Sequence, residues 1–204
     1  VDGNIRYYGA SPNNYIYFNC SDYSNQSSST CETWRIIGVF NNKVKLIRGS
    51  QIGTYSWDNK NTSTGAEDNY GKNDWTEARL MKLLNPGYES ETTGGSLYYN
   101  SGSGNCYAEV NNATKACDFT STGIKNDKTR GLISEETYSL LGWNTYNVYA
   151  NEIYEYERST GKVYTSARPT TWTGKIALAY PSDYGYAVDL SKCSQNLYNY
   201  DNST

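Results

Sequence analysis

Trp34-Arg35-Ile36-Ile37-Gly38-Val39-Phe40, then Asn41-Asn42, then Val44-Lys45-Leu46-Ile47-Arg48 is the stretch that decides the fold class. Two runs rich in β-branched and aromatic residues flank a two-asparagine step. Asparagine tolerates the positive φ of a tight turn, so the stretch reads as a β-hairpin. Just upstream, Tyr15-Ile16-Tyr17-Phe18 has the same strand chemistry. Downstream, residues 54–73 form a long polar stretch. A loop of that length without structure of its own is usually functional or mobile. A helix is then expected from Asp74 as N-cap, with Glu77 three residues on as in a capping box. Leu80, Met81, Leu83 and Leu84 supply its apolar face, and Asn85-Pro86-Gly87 stops it.

Residues 88–127 are loop-rich, with Gly94, Gly95, Gly102 and Gly104. A second helix is expected from Asp127 to Leu141, carrying Leu132, Ile133, Tyr138 and Leu141. A third is expected from Val148 to Arg158. Lys175 to Tyr180 reads as a strand, Pro181-Ser182 as a turn, and Tyr184 to Val188 as extended chain. The tail from Ser191 is polar and has no periodicity. Strands, then helices among long loops, then strands make an α+β pattern. No linker, repeat or composition break divides residues 1–204, so a single domain is expected.

Composition narrows the function. Net charge is −3, which gives no sign of a nucleic-acid-binding patch. No apolar run approaches the roughly 20 residues that span a bilayer. Val, Ile, Leu and Phe together number 31 of 204, and 22 Tyr and 5 Trp make up the missing bulk. Tyrosine buries a large ring and keeps a polar tip, which suits a small core under wet loops. There is no histidine, so histidine triads, Cys/His zinc sites and histidine bases are excluded.

The five cysteines are Cys20, Cys31, Cys106, Cys117 and Cys193. The first two pairs have ten residues between partners, and each enclosed stretch is polar. Bridges Cys20–Cys31 and Cys106–Cys117 around surface loops fit best, although spacing alone does not fix connectivity. Disulfides point to an oxidising compartment, hence a secreted or cell-surface protein. Cys193 is left unpaired. Lys192 adjoins it, but without histidine it has no base to activate it for catalysis.

Acidic residues suited to glycoside hydrolysis are present at Glu32, Asp68, Asp74, Glu77, Asp118, Glu135, Glu152, Glu155, Glu157 and Asp183. None has a marking context. Glu152, Glu155 and Glu157 are expected on a solvated helix face. The run from Trp57-Asp58-Asn59-Lys60 through Asp68-Asn69 to Asn73-Asp74 is rich in oxygen ligands of the kind calcium takes, but has no EF-hand spacing. Gly102-x-Gly104 lacks the third glycine of a nucleotide fingerprint. Trp34 and Trp75 are expected in the core. Trp57 and Trp172 flank polar loops and are the surface candidates for stacking on a ligand.

Several phrases together carry a resemblance: Pro12-Asn13-Asn14-Tyr15-Ile16-Tyr17-Phe18-Asn19-Cys20; Thr33-Trp34-Arg35-Ile36-Ile37-Gly38-Val39-Phe40; Leu80-Met81-Lys82-Leu83-Leu84-Asn85-Pro86-Gly87-Tyr88; Cys117-Asp118-Phe119-Thr120; and Trp172-Thr173-Gly174-Lys175-Ile176 through Tyr186-Ala187. In these the chain resembles uncharacterised surface proteins of Gram-positive gut bacteria, many with a prepilin-type amino terminus or a wall anchor. The resemblance implies a C-type-lectin-like domain with a mixed or antiparallel sheet, two to three helices and long loops. Members of that group continue with another cysteine and a final strand pair, whereas this chain stops at Asn202-Ser203-Thr204. The resemblance therefore implies a chain truncated at its carboxy terminus, with the closing strands and the partner of Cys193 missing.

The resulting expectation is a non-enzymatic extracellular adhesion domain. It would contact a glycan or a host surface protein through Trp57, Asp58, Asp68, Asn69 and Trp172. No cofactor is expected, and calcium is the one ion that the polar loop could take. The alternatives are a pilin-like filament subunit that packs against copies of itself and, third, a glycoside hydrolase.

Overall fold

The structure is a computed structural model that describes residues 3–53, 57, 74–85, 124, 127–143, 147–159 and 168–202. It is α+β, with antiparallel sheets, short helices and one disulfide among the described residues. The chain divides into two compact units. The first comprises residues 1–50, 139–170 and 178–204, and the second residues 51–138 and 171–177.

In the first unit, β3 (Glu32–Phe40) is the centre of a sheet. β4 (Lys43–Arg48) pairs along one side of it. On the other side β2 (Tyr15–Phe18) pairs with Glu32 to Arg35, and β1 (Ile5–Arg6) pairs with Gly38 and Val39. The expected hairpin is present. Asn41 and Asn42 have φ of 49° and 62°, the two left-handed residues that a two-residue turn requires.

The register of β3 on β4 shifts between Ile36 and Gly38. Before the shift Ile36 opposes Leu46; after it Gly38 opposes Lys45 and Phe40 opposes Lys43. Such a bulge re-aims the side chains that follow it. It places Phe40 and Lys45 on one face. Gly38 is required at this point because a Cβ there would strike the carbonyl oxygen of Ile5 in β1.

Two short helices complete the packed part of this unit: α3 (Ala150–Tyr156) and α4 (Pro181–Gly185). The third expected helix is thus α3, closed one residue later by Glu157 as C-cap. The expected extended chain at Tyr184–Val188 is corrected, because its first residues are helical. Pro181 opens α4, where its missing N–H costs nothing, and Asp183 Oδ2 accepts the Tyr180 N–H at 2.9 Å. The polar tail folds as a 3-10 helix, Leu197–Asn202. Cys20–Cys31 is bridged, as the spacing suggested, and closes a loop knit by Ser27 and Thr30.

In the second unit, α1 (Arg79–Leu84) starts later than expected. Asp74 does cap, but it caps the preceding turn: its Oδ1 accepts the Thr76 N–H at 2.9 Å and the Thr76 hydroxyl at 2.8 Å. The expected helix 127–141 is corrected to α2 (Asp127–Leu132) followed by β5 (Glu136–Ser139). β5 pairs with β6 (Thr171–Gly174). The β propensity of Thr137 and Tyr138 overrides the helical spacing. The Thr137 and Thr173 hydroxyls meet at 3.0 Å, while Tyr138 lies against Trp172.

The strand expected at Lys175–Tyr180 lies one element too late. The backbone groups of Ile176 are taken by a side chain rather than a ladder. Asn85 Nδ2 donates to Ile176 O at 2.8 Å, and Ile176 N–H donates to Asn85 Oδ1 at 2.9 Å. That buried amide ties the end of α1 to the exit of β6. Lys175 Nζ donates to Arg130 O at 2.8 Å and secures α2 to the same segment.

Candidate functional site

The candidate site is an aromatic run in the second unit. Trp172 and Gly174 are the buried positions of β6, and Thr171 and Thr173 the exposed ones. Trp172 folds over Gly174 so closely that a Cβ there would strike the indole. Its ring lies 5.6 Å from Tyr138 and meets Trp75 edge-on at 5.8 Å. Trp75 in turn lies 5.6 Å from Trp57. Trp57 is held by its backbone, whose carbonyl accepts the Leu80 N–H of α1 at 3.1 Å. The run thus passes from a core to a half-open ring. Trp75 and Trp172 are 7% and 9% exposed, and Trp57 is 37% exposed.

An exposed indole braced by a buried one is a rigid platform. Its apolar face suits a sugar ring or an apolar side chain, and its ordering entropy has already been spent within the fold. The buried Trp75 Nε1 has no hydrogen-bond partner among the described residues. It belongs to a ring set at 87° to Trp172, an edge-to-face geometry that places a positive ring edge against a π face.

Of the expected ligand residues, Trp57 is at the surface as anticipated. Trp172 is not: it is core, because alternation along β6 sends it inward with Gly174. Asp58, Asp68 and Asn69 lie outside the described residues, and with them the calcium-type run between Trp57 and Asp74. Cys106 and Cys117 lie outside them too. Cys193 is a free, half-buried thiol. No group of three or more acidic or cysteine side chains able to hold a metal occurs among the described residues. No helix among them is long and apolar enough to cross a membrane. Trp75 is core as expected, whereas Trp34 is half-buried, edge-on to Phe18, with its N–H on Glu32.

The carboxylates sort differently from expectation. Glu32 binds Arg48 through both oxygens, at 3.0 and 3.3 Å. Asp183 pairs with Lys45 at 2.6 Å. Glu157 is only 1% exposed, which overturns its assignment to a solvated face. At the C-cap of α3 it turns toward α4, where Ser182 N–H donates to Oε1 at 2.8 Å and Ser182 Oγ to Oε2 at 2.5 Å. Arg158 Nη1 adds a third bond at 2.8 Å. Burial outweighs these donors and raises the Glu157 carboxyl above its ordinary value.

Sequence reasoning also missed a closed circuit of cations and rings around this carboxylate. Arg6 lies over Phe40, Tyr154 and Tyr186 at 5.0, 5.1 and 4.1 Å. Arg158 lies over Tyr154 and Tyr180 at 3.7 and 4.9 Å. Lys45 lies over Tyr180 and Phe40 at 4.8 and 5.4 Å, which closes the loop. All are within cation–π range. Half-buried Tyr180, pushed up to about 12 by desolvation, stays a neutral phenol that donates to Ser139 O at 2.8 Å. Cation–ring packing stands here where aliphatic side chains usually would. The local signal for it was the tyrosine surplus itself.

Compared with known proteins, the chain matches no protein-family model, no curated protein and no solved structure.

Proposed function

We propose that this chain is an extracellular binding domain of C-type-lectin-like kind that holds a glycan or a surface protein against Trp57. The observation that carries the reading is Trp57 itself: a half-exposed indole braced on buried Trp75, beside polar chain on both sides. Aromatic anchors in rigid settings contribute most of the energy at binding sites. The Cys20–Cys31 bridge supports an oxidising, external setting.

The test is a panel of immobilised neutral and acidic glycans and candidate surface proteins, screened with the wild-type chain and with Trp57→Ala. Loss of an aromatic anchor is expected to weaken binding at least roughly thirty-fold, since such truncations cost about 2 kcal/mol or more. The melting temperature should be nearly unchanged, because Trp57 is far more exposed than Trp75 or Trp172. Equal affinity in the variant would remove Trp57 from the site.

One further observation favours a second reading, packing against copies of itself. Tyr15, Tyr17 and Ile47 are all exposed, and the strand register puts them on one face of the first sheet. That reading requires mass to rise with concentration in sedimentation, with no dependence on Trp57.

A further inference from the structure

The five-residue helix α4 is a hub. The Gly9 N–H donates to Ala187 O just beyond it at 2.8 Å, and Tyr200 OH donates to Gly185 O at 2.9 Å. Lys45 of β4 reaches Asp183. From α3, Glu157 takes both donors of Ser182. The segment after β1, strand β4, the 3-10 tail and the end of α3 are therefore each tied to α4. A helix this short cannot hold itself together in water. Its position is set by these ties and by apolar packing on α3, where Ala150 lies against Gly185 and Tyr154 meets Tyr186 edge-on; the hydrogen bonds that join the end of α3 to α4 converge on one buried carboxyl.

We propose that Glu157 is an acid-closing latch: taking up a proton tightens the docking of α4 on α3, and releasing it loosens α4 and the segments tied to it. The geometry provides the two states. The ionised carboxylate has three donors but is 1% exposed, away from the water a charge needs. The protonated acid keeps an acceptor for the Ser182 N–H. Its own O–H can donate to Ser182 Oγ, because a hydroxyl serves as either partner.

The groups that face it are few. Arg158 pairs with it from the end of α3. Ser139, the last residue of β5, donates its hydroxyl to the Glu157 carbonyl. From α4 come Ser182, the neutral phenol of Tyr180, and Asp183, which is occupied by Lys45 of β4. Arg158 is the only cation bonded to the carboxylate among the described residues, and its own side chain is one-third exposed, so water weakens its hold on the charge.

The direction follows from linkage. A carboxyl raised in the folded chain is protonated there at pH values where the unfolded chain has already ionised. Its stabilising contribution is fully present below its ordinary value of 4.5 and is lost as pH rises through the higher folded value. Asp189 is lowered by its bonds to Ser191, so its contribution has the opposite sign and is lost as pH falls. It is common to wild type and variant and cancels in their difference.

The test compares wild type with Glu157→Gln, whose amide never ionises. Melting temperature and amide exchange protection at Ser182, Tyr186 and Ala187 are followed from pH 4 to about pH 8. Wild type should lose melting temperature and protection relative to the variant as pH rises. Parallel curves, or a wild type that gains on the variant, would overturn the proposal. If the variant does not fold, Arg158→Met serves. Removing the cation that favours only the ionised form should move the pH of protection loss at Tyr186 and Ala187 upward. An unchanged or lower pH would overturn it equally.

Discussion

Trp172→Ala is expected to destabilise the second unit by about 3–5 kcal/mol, the usual cost of truncating a buried tryptophan to alanine. The indole is the middle of the run, contacting Tyr138 on β5 and Trp75 ahead of α1. It also covers Gly174, which has no side chain to refill the space. Urea unfolding followed by near-ultraviolet circular dichroism reads the loss, since the neighbouring indoles of Trp57, Trp75 and Trp172 contribute to that signal. Trp172→Phe should recover part of it. An alanine variant within about 1 kcal/mol of wild type would mean that Trp172 is not the centre of this core. The contrast with Trp57→Ala is the informative part: of two tryptophans in one run, one is expected to carry stability and the other is proposed to carry binding.

Arg6→Ala should cost about 2–4 kcal/mol, with three ring contacts of roughly 0.5–2 kcal/mol each that do not add fully. Arg6→Met separates the causes. Methionine keeps much of the apolar contact and removes the charge, so a shortfall shared by both variants belongs to the cation. Arg6→Lys should fall between wild type and alanine, because an ammonium lacks the flat guanidinium that stacks on Phe40 and Tyr186. Equilibrium unfolding in urea measures all three. Full recovery by methionine would reduce the circuit to ordinary apolar packing.

What could be read from the sequence was what is settled locally. Asn41-Asn42 declares its turn through backbone chemistry, and the flanking runs declare strands, so the hairpin was legible residue by residue. The Cys20–Cys31 loop was legible from spacing and polarity. Trp75 as core and Trp57 at the surface were also legible. The rest depended on partners distant along the chain. α4 is stabilised by Glu157, 25 residues before Ser182, and no window around Pro181 contains that information. Ile176 looks like a strand residue until the Asn85 amide, 91 residues away, takes both its backbone groups. Trp172 was misplaced because its neighbours are polar, yet those neighbours are the outward half of an alternating four-residue strand. Glu157 was misplaced because it lies just past the helix whose face it was assumed to share.

The circuit of Arg6, Arg158 and Lys45 among Phe40, Tyr154, Tyr180 and Tyr186 has one more consequence. Its binding sites for flat cations are filled by the chain's own side chains. Dissolved guanidinium ions are chemically the same guests as the ends of Arg6 and Arg158, and urea carries no charge to offer the rings. In guanidinium chloride the first unit therefore meets a direct competitor for its interior as well as a general denaturant.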